Sequence, residues 1–378
     1  MATRIDIKKN IIEWAIARAG FEIQEYLMKN PLVQAWLDNS KKPTIKQLEK
    51  FSTNVHVPFG YLFLDEPPQE QLRFPFFRTG KKKTDNVSLN VYHAIQIVQK
   101  RQSWLTEHLI NQGYDELDFV GKFDKNSSYN EIVTDIRRTL KLNINWASKH
   151  NTWERALDYL TIQIEESGII LNFSGVVGNN NRRKLSVEEC RGFVLVNNVA
   201  PFMFINSADA KAAQMFTIIH ELAHIWIGES AGFDFKNMLP ANDPIELLCD
   251  QVAAEFLVPK DYLLSKWDEE KHFTKLNRIF KVSPIVVARR ALDLKLISKK
   301  QFFNFYNNYI NEVKFKKNQA GGGGNFYATA KKRISLRFAS YINNAVKENK
   351  LLYTDAYRLT GLKGETYTRF IKENLFQV

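Results

Sequence analysis

The feature that most constrains this chain is the pentapeptide H-E-L-A-H at residues 220–224. Histidines four residues apart project from one face of a helix, and this H-E-x-x-H arrangement is typical of a helical zinc site. The carboxylate of Glu221 lies beside His220 around the helix, where it can act on a water molecule without coordinating the metal itself. Apolar residues on both sides predict a buried helix. The alternative is a core helix in which His220 and His224 are only hydrogen-bonded.

A catalytic zinc site needs a third protein ligand, and a second apolar-periodic helix predicted between Asp243 and Pro259 offers candidates. Glu246 and Asp250 lie one turn apart and share a face of that helix. We predict that Glu246 is the third ligand and that Asp250 accepts the second ring proton of a histidine ligand, His220. Asp250 and Glu255 remain alternative ligands.

Cys190 and Cys249 are the two cysteines among the 378 residues, too few for a disulfide framework or a cysteine-based zinc site. Cys249 can bind zinc chemically, but its position beside the ligand face favours a packing role. The sequence has no 18-residue apolar run, and its N-terminus lacks the core of a signal peptide. We therefore expect a cytoplasmic protein with no membrane partner.

The sequence around these two helices resembles the ImmA/IrrE family of zinc metallopeptidases. The resemblance rests on F-T-I-I-H-E-L-A-H at residues 216–224 and on I-E-L-L-C-D-Q-V-A-A-E-F-L-V-P at 245–259. Residues 43–48 and 61–68 also resemble the Xre-type helix-turn-helix domain that is often fused ahead of such peptidases. The resemblance implies a bound Zn²⁺ and an intracellular protein substrate, typically a helix-turn-helix repressor.

The expected fold class is α+β and mainly helical. We expect a zincin-like catalytic domain with a small antiparallel sheet and the H-E-x-x-H helix, flanked by helical domains of the helix-turn-helix kind. The predicted boundaries place an Xre-like domain at 1–70, a helical linker region at 71–150, the peptidase domain at 151–265, a helical extension at 266–318 and a C-terminal helical domain at 325–378. The glycine run at 321–324 predicts a linker before the last domain.

Three short apolar runs predict β-strands at residues 169–173, 192–197 and 201–206. The polar stretch at 178–184 between the first two predicts a mobile loop. Because the last strand immediately precedes the zinc helix, we expect a substrate peptide to pair with its edge. The candidate substrate-binding residues are Phe202, Phe204 and Asn206.

Net charge is uneven along the chain, with −6 in residues 84–260 and +13 in residues 261–378. The basic third could contact nucleic acid or an acidic protein, although a solvated surface explains the charge equally well. Candidate nucleic-acid contacts are Gln34, in a short apolar helix at 31–37, and Arg289 and Arg290, in a helix capped by Ser283. A further helix-turn-helix-like pattern lies at 352–369 and could be purely structural.

The sequence therefore predicts a zinc-dependent intracellular endopeptidase that cleaves a specific regulatory, repressor-like protein in a stress, mobile-element or toxin-antitoxin context. The alternative is a non-proteolytic regulator or antitoxin that binds a partner protein or DNA, with a structural zinc site. An accessible Glu221 would favour the enzyme. A segment of the chain that covers the site would favour the binding protein.

Overall fold

A computed structural model describes residues 4–68, 76–78, 87–234, 243–267, 273–317 and 326–375. The chain divides into two compact units. Unit 1 comprises residues 1–73 and 83–95, and unit 2 comprises 74–82 and 96–378. The expected class, α+β and mainly helical, is confirmed. The predicted glycine linker lies outside the described residues.

The described part of unit 1 contains four short helices and a 3-10 turn. They are α1 (Lys9–Arg18), α2 (Ile23–Lys29), α3 (Pro31–Leu37), α4 (Ile45–Val55) and the turn Phe59–Phe63. Helix α4 begins at a capping box in which Thr44 and Gln47 bond reciprocally, and it ends at His56 in the left-handed conformation. The inward stripes of the four helices form their own hydrophobic core.

Helix α5 (Leu89–Asn111) begins in unit 1 and continues into unit 2. The remaining helices are α6 (Tyr129–Thr139), α7 (Trp153–Glu166), α8 (Lys211–Ile227), α9 (Pro244–Leu257), α10 (Lys260–Lys266), α11 (Phe273–Phe280), α12 (Pro284–Asp293), α13 (Lys299–Lys317), α14 (Phe326–Ile334), α15 (Leu336–Lys347), α16 (Tyr353–Thr360) and α17 (Gly364–Leu375). Thr152 caps α7 by accepting from the backbone N–H of Arg155, and the helix ends at Ser167 followed by the left-handed Gly168.

Seven strands are described, five of which form one sheet. The strands are β1 (Phe76–Arg78), β2 (Ile170–Phe173), β3 (Val176–Val177), β4 (Asn180–Lys184), β5 (Gly192–Leu195), β6 (Phe202–Ile205) and β7 (Ala231–Asp234). The sheet order is β1-β7-β5-β6-β2. β5 runs antiparallel to β6 and β7, but β2 is parallel to β6 and β1 is parallel to β7. The expected antiparallel sheet is therefore wrong, because long connections bring two parallel strands to it.

The polar stretch predicted as a mobile loop is instead a small hairpin in which β3 pairs antiparallel with β4. Its polar side chains are mostly exposed, so the alternation that reveals a half-buried strand is missing from the sequence. The three predicted strands of the main sheet are confirmed as β2, β5 and β6.

Helix α8 packs against the sheet, and α9 packs against α8. A methyl group added at Gly192 in β5 would lie 2.6 Å from Cγ2 of Thr217 in α8, so the strand and helix approach closely only because residue 192 lacks a side chain. The helix ends at Gly228, which adopts the left-handed conformation. These contacts fix α8 between the sheet and α9.

None of the described helices is both long enough and apolar enough to cross a membrane.

Candidate metal centre

Helix α8 carries both candidate histidine ligands in the core of unit 2. His220 and His224 are buried, and their ring centroids lie 5.1 Å apart. Every residue from Met215 to Ile227 except Phe216 is buried. This burial explains the apolar flanks of the motif, because a helix enclosed by a sheet and a second helix needs apolar side chains almost all round.

Glu246 lies in the first turn of α9 and faces both imidazoles. Its Oε2 is 3.1 Å from Nε2 of His220, and its Oε1 is 3.2 Å from Nε2 of His224, the second pair lacking the alignment of a hydrogen bond. Asp243 caps α9 and accepts hydrogen bonds from the backbone N–H groups of Ile245 and Glu246. The cap and the helix packing thus bring one carboxylate to two ring nitrogens.

Asp250 lies one turn beyond Glu246, with its Oδ1 3.0 Å from Nδ1 of His220. Burial disfavours charge on His220, but the hydrogen bonds with Asp250 and Glu246 outweigh burial and raise its pKa to about 10. Burial raises the pKa of Glu246, but the neighbouring His220 and His224 outweigh burial and hold this pKa below its ordinary value. An Nδ1–H that donates to Asp250 would leave Nε2 available as a metal ligand.

The carboxylate of Glu221 is completely buried, and neither of its oxygens has a hydrogen-bond partner. Burial, together with the charge of Glu246, raises its pKa well above the ordinary value despite the opposing effect of His220. Both ring nitrogens of His224 also lack hydrogen bonds. Unsatisfied buried groups of this kind cost free energy, so their concentration at one point fits a metal ion with its water.

Cys249 contributes a third donor atom near the histidines. Its Sγ and one nitrogen each of His220 and His224 all lie within 4.8 Å of one another, the arrangement of a group that could hold a metal ion. The thiol is buried, and burial and nearby carboxylates raise its pKa well above the ordinary value. The position of Cys249 beside the ligand face in the sequence favours a packing role. The packing of α9 on α8 brings the thiol closer to the imidazoles than that reading implied.

Residues 165–292 match the family model described as the IrrE N-terminal-like domain of the M78 peptidases. The chain carries an IrrE N-terminal-like domain. This match supports the resemblance to the ImmA/IrrE family, and a domain of these metallopeptidases implies a metal. Residues 334–373 match a domain of unknown function, DUF8813. Neither match reaches the Xre-like region, which stays a prediction. Comparison with curated proteins found no match.

Within the IrrE N-terminal-like domain, Glu255 lies outside the histidine cluster. Its carboxylate pairs with the guanidinium of Arg290, whose Nε donates to the backbone oxygen of Val258 at 3.1 Å. Arg290 is only 7% exposed. The prediction that Arg290 contacts nucleic acid is therefore wrong, because this buried side chain of α12 binds Glu255 and the backbone of Val258 at the end of α9. The ion pair with Arg290 also explains the position of Glu255, an alternative ligand in the sequence, without a metal ion.

The expected substrate edge of the IrrE N-terminal-like domain is also wrong. β6 pairs with β5 on one side and β2 on the other, so it has no edge for a peptide. Phe202 and Phe204 are buried, and Phe204 stacks on Phe193. Asn206 is buried and donates hydrogen bonds to the backbone oxygens of Leu185 and Cys190. The three predicted substrate residues thus build the domain core.

The other two candidate nucleic-acid contacts, Gln34 and Arg289, are partly buried. Gln34 is partly buried on α3 and donates hydrogen bonds to the carboxylate of Asp38. Arg289 is partly buried on α12, and its Nε lies 3.1 Å from Oδ1 of Asp293. Both side chains therefore have partners within their own helix.

Sequence reasoning missed the groups that hold the C-terminal end of the zinc helix. The backbone N–H groups of Gly121 and Phe123 donate to the carbonyls of Ile225 and Trp226, each at 3.0 Å. Asp135 on α6 accepts a hydrogen bond from Nε1 of Trp226 at 3.0 Å. Nothing in the local pattern around Asp135 signals a partner ninety-one residues away.

The centre as a whole is enclosed. Of His220, Glu221, His224 and Glu246, none is more than 4% exposed. This enclosure strengthens electrostatic interactions within the site, since water no longer screens them. It also means that a peptide reaches Glu221 only after part of the surrounding chain moves.

Proposed function

We propose that this protein is a zinc-dependent endopeptidase acting on a specific intracellular protein. The observation that carries the proposal is the Glu221 carboxylate, which is buried without a hydrogen bond beside two imidazoles and the Glu246 carboxylate that faces them. A buried acid without partners is expensive in a purely structural core and is expected of a group that exchanges a proton during catalysis. The match to the IrrE N-terminal-like domain supports the same reaction class.

His220, His224 and Glu246 would hold the zinc ion, which matches the nitrogen and oxygen donors that zinc prefers. When bound, zinc would polarise the scissile carbonyl and make a water molecule more acidic. A carboxylate oxygen of Glu221 accepts a proton from the attacking water and passes it to the leaving nitrogen. Asp250 orients the His220 ring through Nδ1.

The resemblance to the ImmA/IrrE family supports a repressor-like regulatory protein as the substrate. In this proposal cleavage takes place in the cytoplasm and releases a stress, mobile-element or toxin-antitoxin response. The specificity would come from the helical regions outside the metal centre, because H-E-x-x-H chemistry by itself does not distinguish one peptide bond from another.

One observation favours a second candidate function. Glu221 is completely buried in the described structure, whereas a working peptidase must admit a peptide to it. A regulator or antitoxin that binds its partner without cleaving it, with the metal centre as a structural element, would keep such a site closed.

The Glu221→Gln variant distinguishes the two functions. The amide keeps the shape of the side chain but cannot accept the proton, so zinc content should stay the same while cleavage of the partner is lost. The unmodified full chain and the Glu221→Gln variant are each co-expressed with the protein encoded by the neighbouring gene. Each is then purified together with the partner it captures, and mass spectrometry shows whether that partner is intact or cleaved.

An intact partner captured by the variant and cleaved by the unmodified protein would support the peptidase. Glu229→Gln, which changes the exposed residue following α8 in the same way, serves as the matched control. Cleavage that survives Glu221→Gln would contradict the proposal. Equal, stable capture of an intact partner by both proteins would favour the regulator.

A further inference from the structure

The last three helices form a compact bundle of their own within unit 2. α15, α16 and α17 each contact the other two. A three-residue turn at 361–363 joins α16 to α17. Gly361 begins this turn in the left-handed conformation, with φ +71°, which a residue with a side chain rarely adopts. Two helices joined by a short turn containing glycine, packed on a third helix, form a helix-turn-helix.

The burial pattern fits that motif. The buried side chains of α16 and α17 face a shared core and leave the opposite face of α17 in solvent. The buried positions are Ala356, Thr360, Leu362, Tyr367, Phe370 and Ile371, none more than 6% exposed. The packing therefore fixes which face of the third helix can meet a partner.

We propose that residues 336–375 bind duplex DNA, with α17 in the major groove. The exposed side chains at the turn and along α17 are Lys363, Glu365, Thr368, Arg369 and Lys372, of which three are basic and one is acidic. Arginine and lysine donate to guanine O6 and N7, threonine contacts either base type, and lysine also neutralises phosphate. In such motifs the exposed N-terminal half of the second motif helix reads base edges.

The hairpin β3–β4 extends this surface. Nδ2 of Asn179, at the tip of the hairpin, donates to the backbone oxygen of Gly361 at 2.9 Å. Arg182 and Lys184 are exposed on the following strand. The hairpin tip therefore contacts the turn, and its second strand carries further positive charge that a phosphate backbone passing beside a helix in the groove could meet.

The charge on α17 is available for exchange with phosphate. Arg369 pairs with Glu373 at 2.6 Å, and both side chains are well exposed. An exposed pair of this kind contributes little free energy, so replacing the carboxylate by a DNA phosphate or a base costs little. Arg290, by contrast, is buried against Glu255 and cannot make such an exchange. DNA binding therefore belongs to α17 and does not depend on whether the metal centre hydrolyses peptides.

The test uses the full chain and a fluorescent mixed-sequence DNA duplex several helical turns long, followed by anisotropy at low and at physiological salt. Arg369→Ala with Lys372→Ala should weaken binding at least about tenfold and reduce its salt dependence. The matched control, Lys299→Ala with Lys300→Ala, removes the same charge from exposed positions at the start of α13 and should weaken binding by less than about threefold.

Thermal unfolding confirms that each variant is folded. If the Arg369→Ala, Lys372→Ala double variant does not fold, Lys363→Ala in the turn should weaken DNA binding on its own. Equal losses in the test and control variants would overturn the proposal, as would a full chain that does not bind the duplex at low salt. Tighter binding to single-stranded RNA of the same sequence would also overturn it.

Discussion

Two buried carboxylates of the metal centre, Glu221 and Glu246, differ in what surrounds them. Glu246 faces both imidazoles, whereas Glu221 has no hydrogen-bond partner although it lies next to His220 in the same helix. The first environment suits a group that is held in one place, and the second suits a group that must exchange a proton. The packing around the two glutamates is therefore enough to suit them to different roles.

At the residue scale, the geometry predicts an order of zinc affinities. Glu246→Ala should weaken zinc binding more than Asp250→Ala, because the first change removes a ligand and the second only the group that orients His220. The loss of such an orienting partner typically costs about 10–100-fold in metal affinity. Competition with a chromogenic zinc chelator measures both variants.

Asp261→Ala is the matched control, because Asp261 is exposed on α10. Its affinity for zinc should equal that of the unmodified chain. If Asp250→Ala loses more affinity than Glu246→Ala, the ligand assignment is reversed.

At the element scale, Asp135 connects α6 to α8, the helix of the candidate metal centre. It accepts from Trp226 at 3.0 Å and from Nζ of Lys122 at 2.8 Å, and it also pairs with Arg138. Burial raises the pKa of Asp135, but the hydrogen bonds from Lys122 and Trp226 outweigh it and hold the pKa below 3.8. The folded state therefore favours the ionised carboxylate.

This shift predicts a pH-dependent stability difference. Asp135→Asn should lower stability at neutral pH by about 1–3 kcal/mol, the usual cost of losing charged hydrogen bonds. Because the folded-state pKa is depressed, the difference should be complete above the ordinary pKa and shrink as the pH falls through the folded value. Thermal unfolding of the metal-free protein between neutral and acidic pH measures it.

Asp158→Asn is the control for this prediction, since Asp158 forms an exposed pair with Lys332. That variant should change stability little at any pH. A difference between Asp135→Asn and the unmodified chain that grows on acidification would contradict the assigned sign.

The sequence predicts α8, α9 and the strands β2, β5 and β6 because each leaves a local pattern, as Asp243 and Pro244 do at the start of α9. It also predicts the approach of Glu246 and Asp250 to His220. It does not predict that β6 is paired on both sides, since pairing is decided between strands far apart in the chain. The prediction that Arg290 contacts nucleic acid is wrong for the same reason. An arginine on a helix face looks exposed until its partner Glu255 is placed.

At the scale of the whole molecule, Arg101 attaches the C-terminal bundle to unit 2. Its guanidinium donates to the backbone oxygens of Leu359 and Arg333, each at 2.9 Å, and to Oδ1 of Asn172 at 3.3 Å. Burial lowers the pKa of Arg101 to about 10, so the group is still charged at neutral pH. Helix α5, strand β2 and the last helices therefore share one buried cation.

Arg101→Met should loosen this attachment by at least about 2 kcal/mol, because it leaves three buried acceptors without a donor. Hydrogen exchange of the α15–α17 amides should become faster. Arg358→Met, at a side chain 81% exposed on α16, is the control and should leave exchange unchanged. Equal protection in the two variants would mean that apolar packing alone holds the bundle.

Zinc binding should stabilise unit 2 as a whole, because the ligands lie in its core. Free zinc at about one hundred times the dissociation constant should add roughly 2.7 kcal/mol if the unfolded chain does not bind it. Calorimetry with and without a chelator measures the shift in melting temperature. The same shift in Glu246→Ala would show that zinc binds elsewhere.

The position of Arg101 also has a consequence for how the protein is made. Its acceptor Leu359 lies 258 residues further along the chain, so the two groups cannot meet until Leu359 has been synthesised. At about 5–20 residues per second the nascent chain waits roughly 13–50 s before the hydrogen bond to Leu359 can form. During that interval the attachment of the last helices through Arg101 is incomplete, so folding of unit 2 on the ribosome must stop short of its final step.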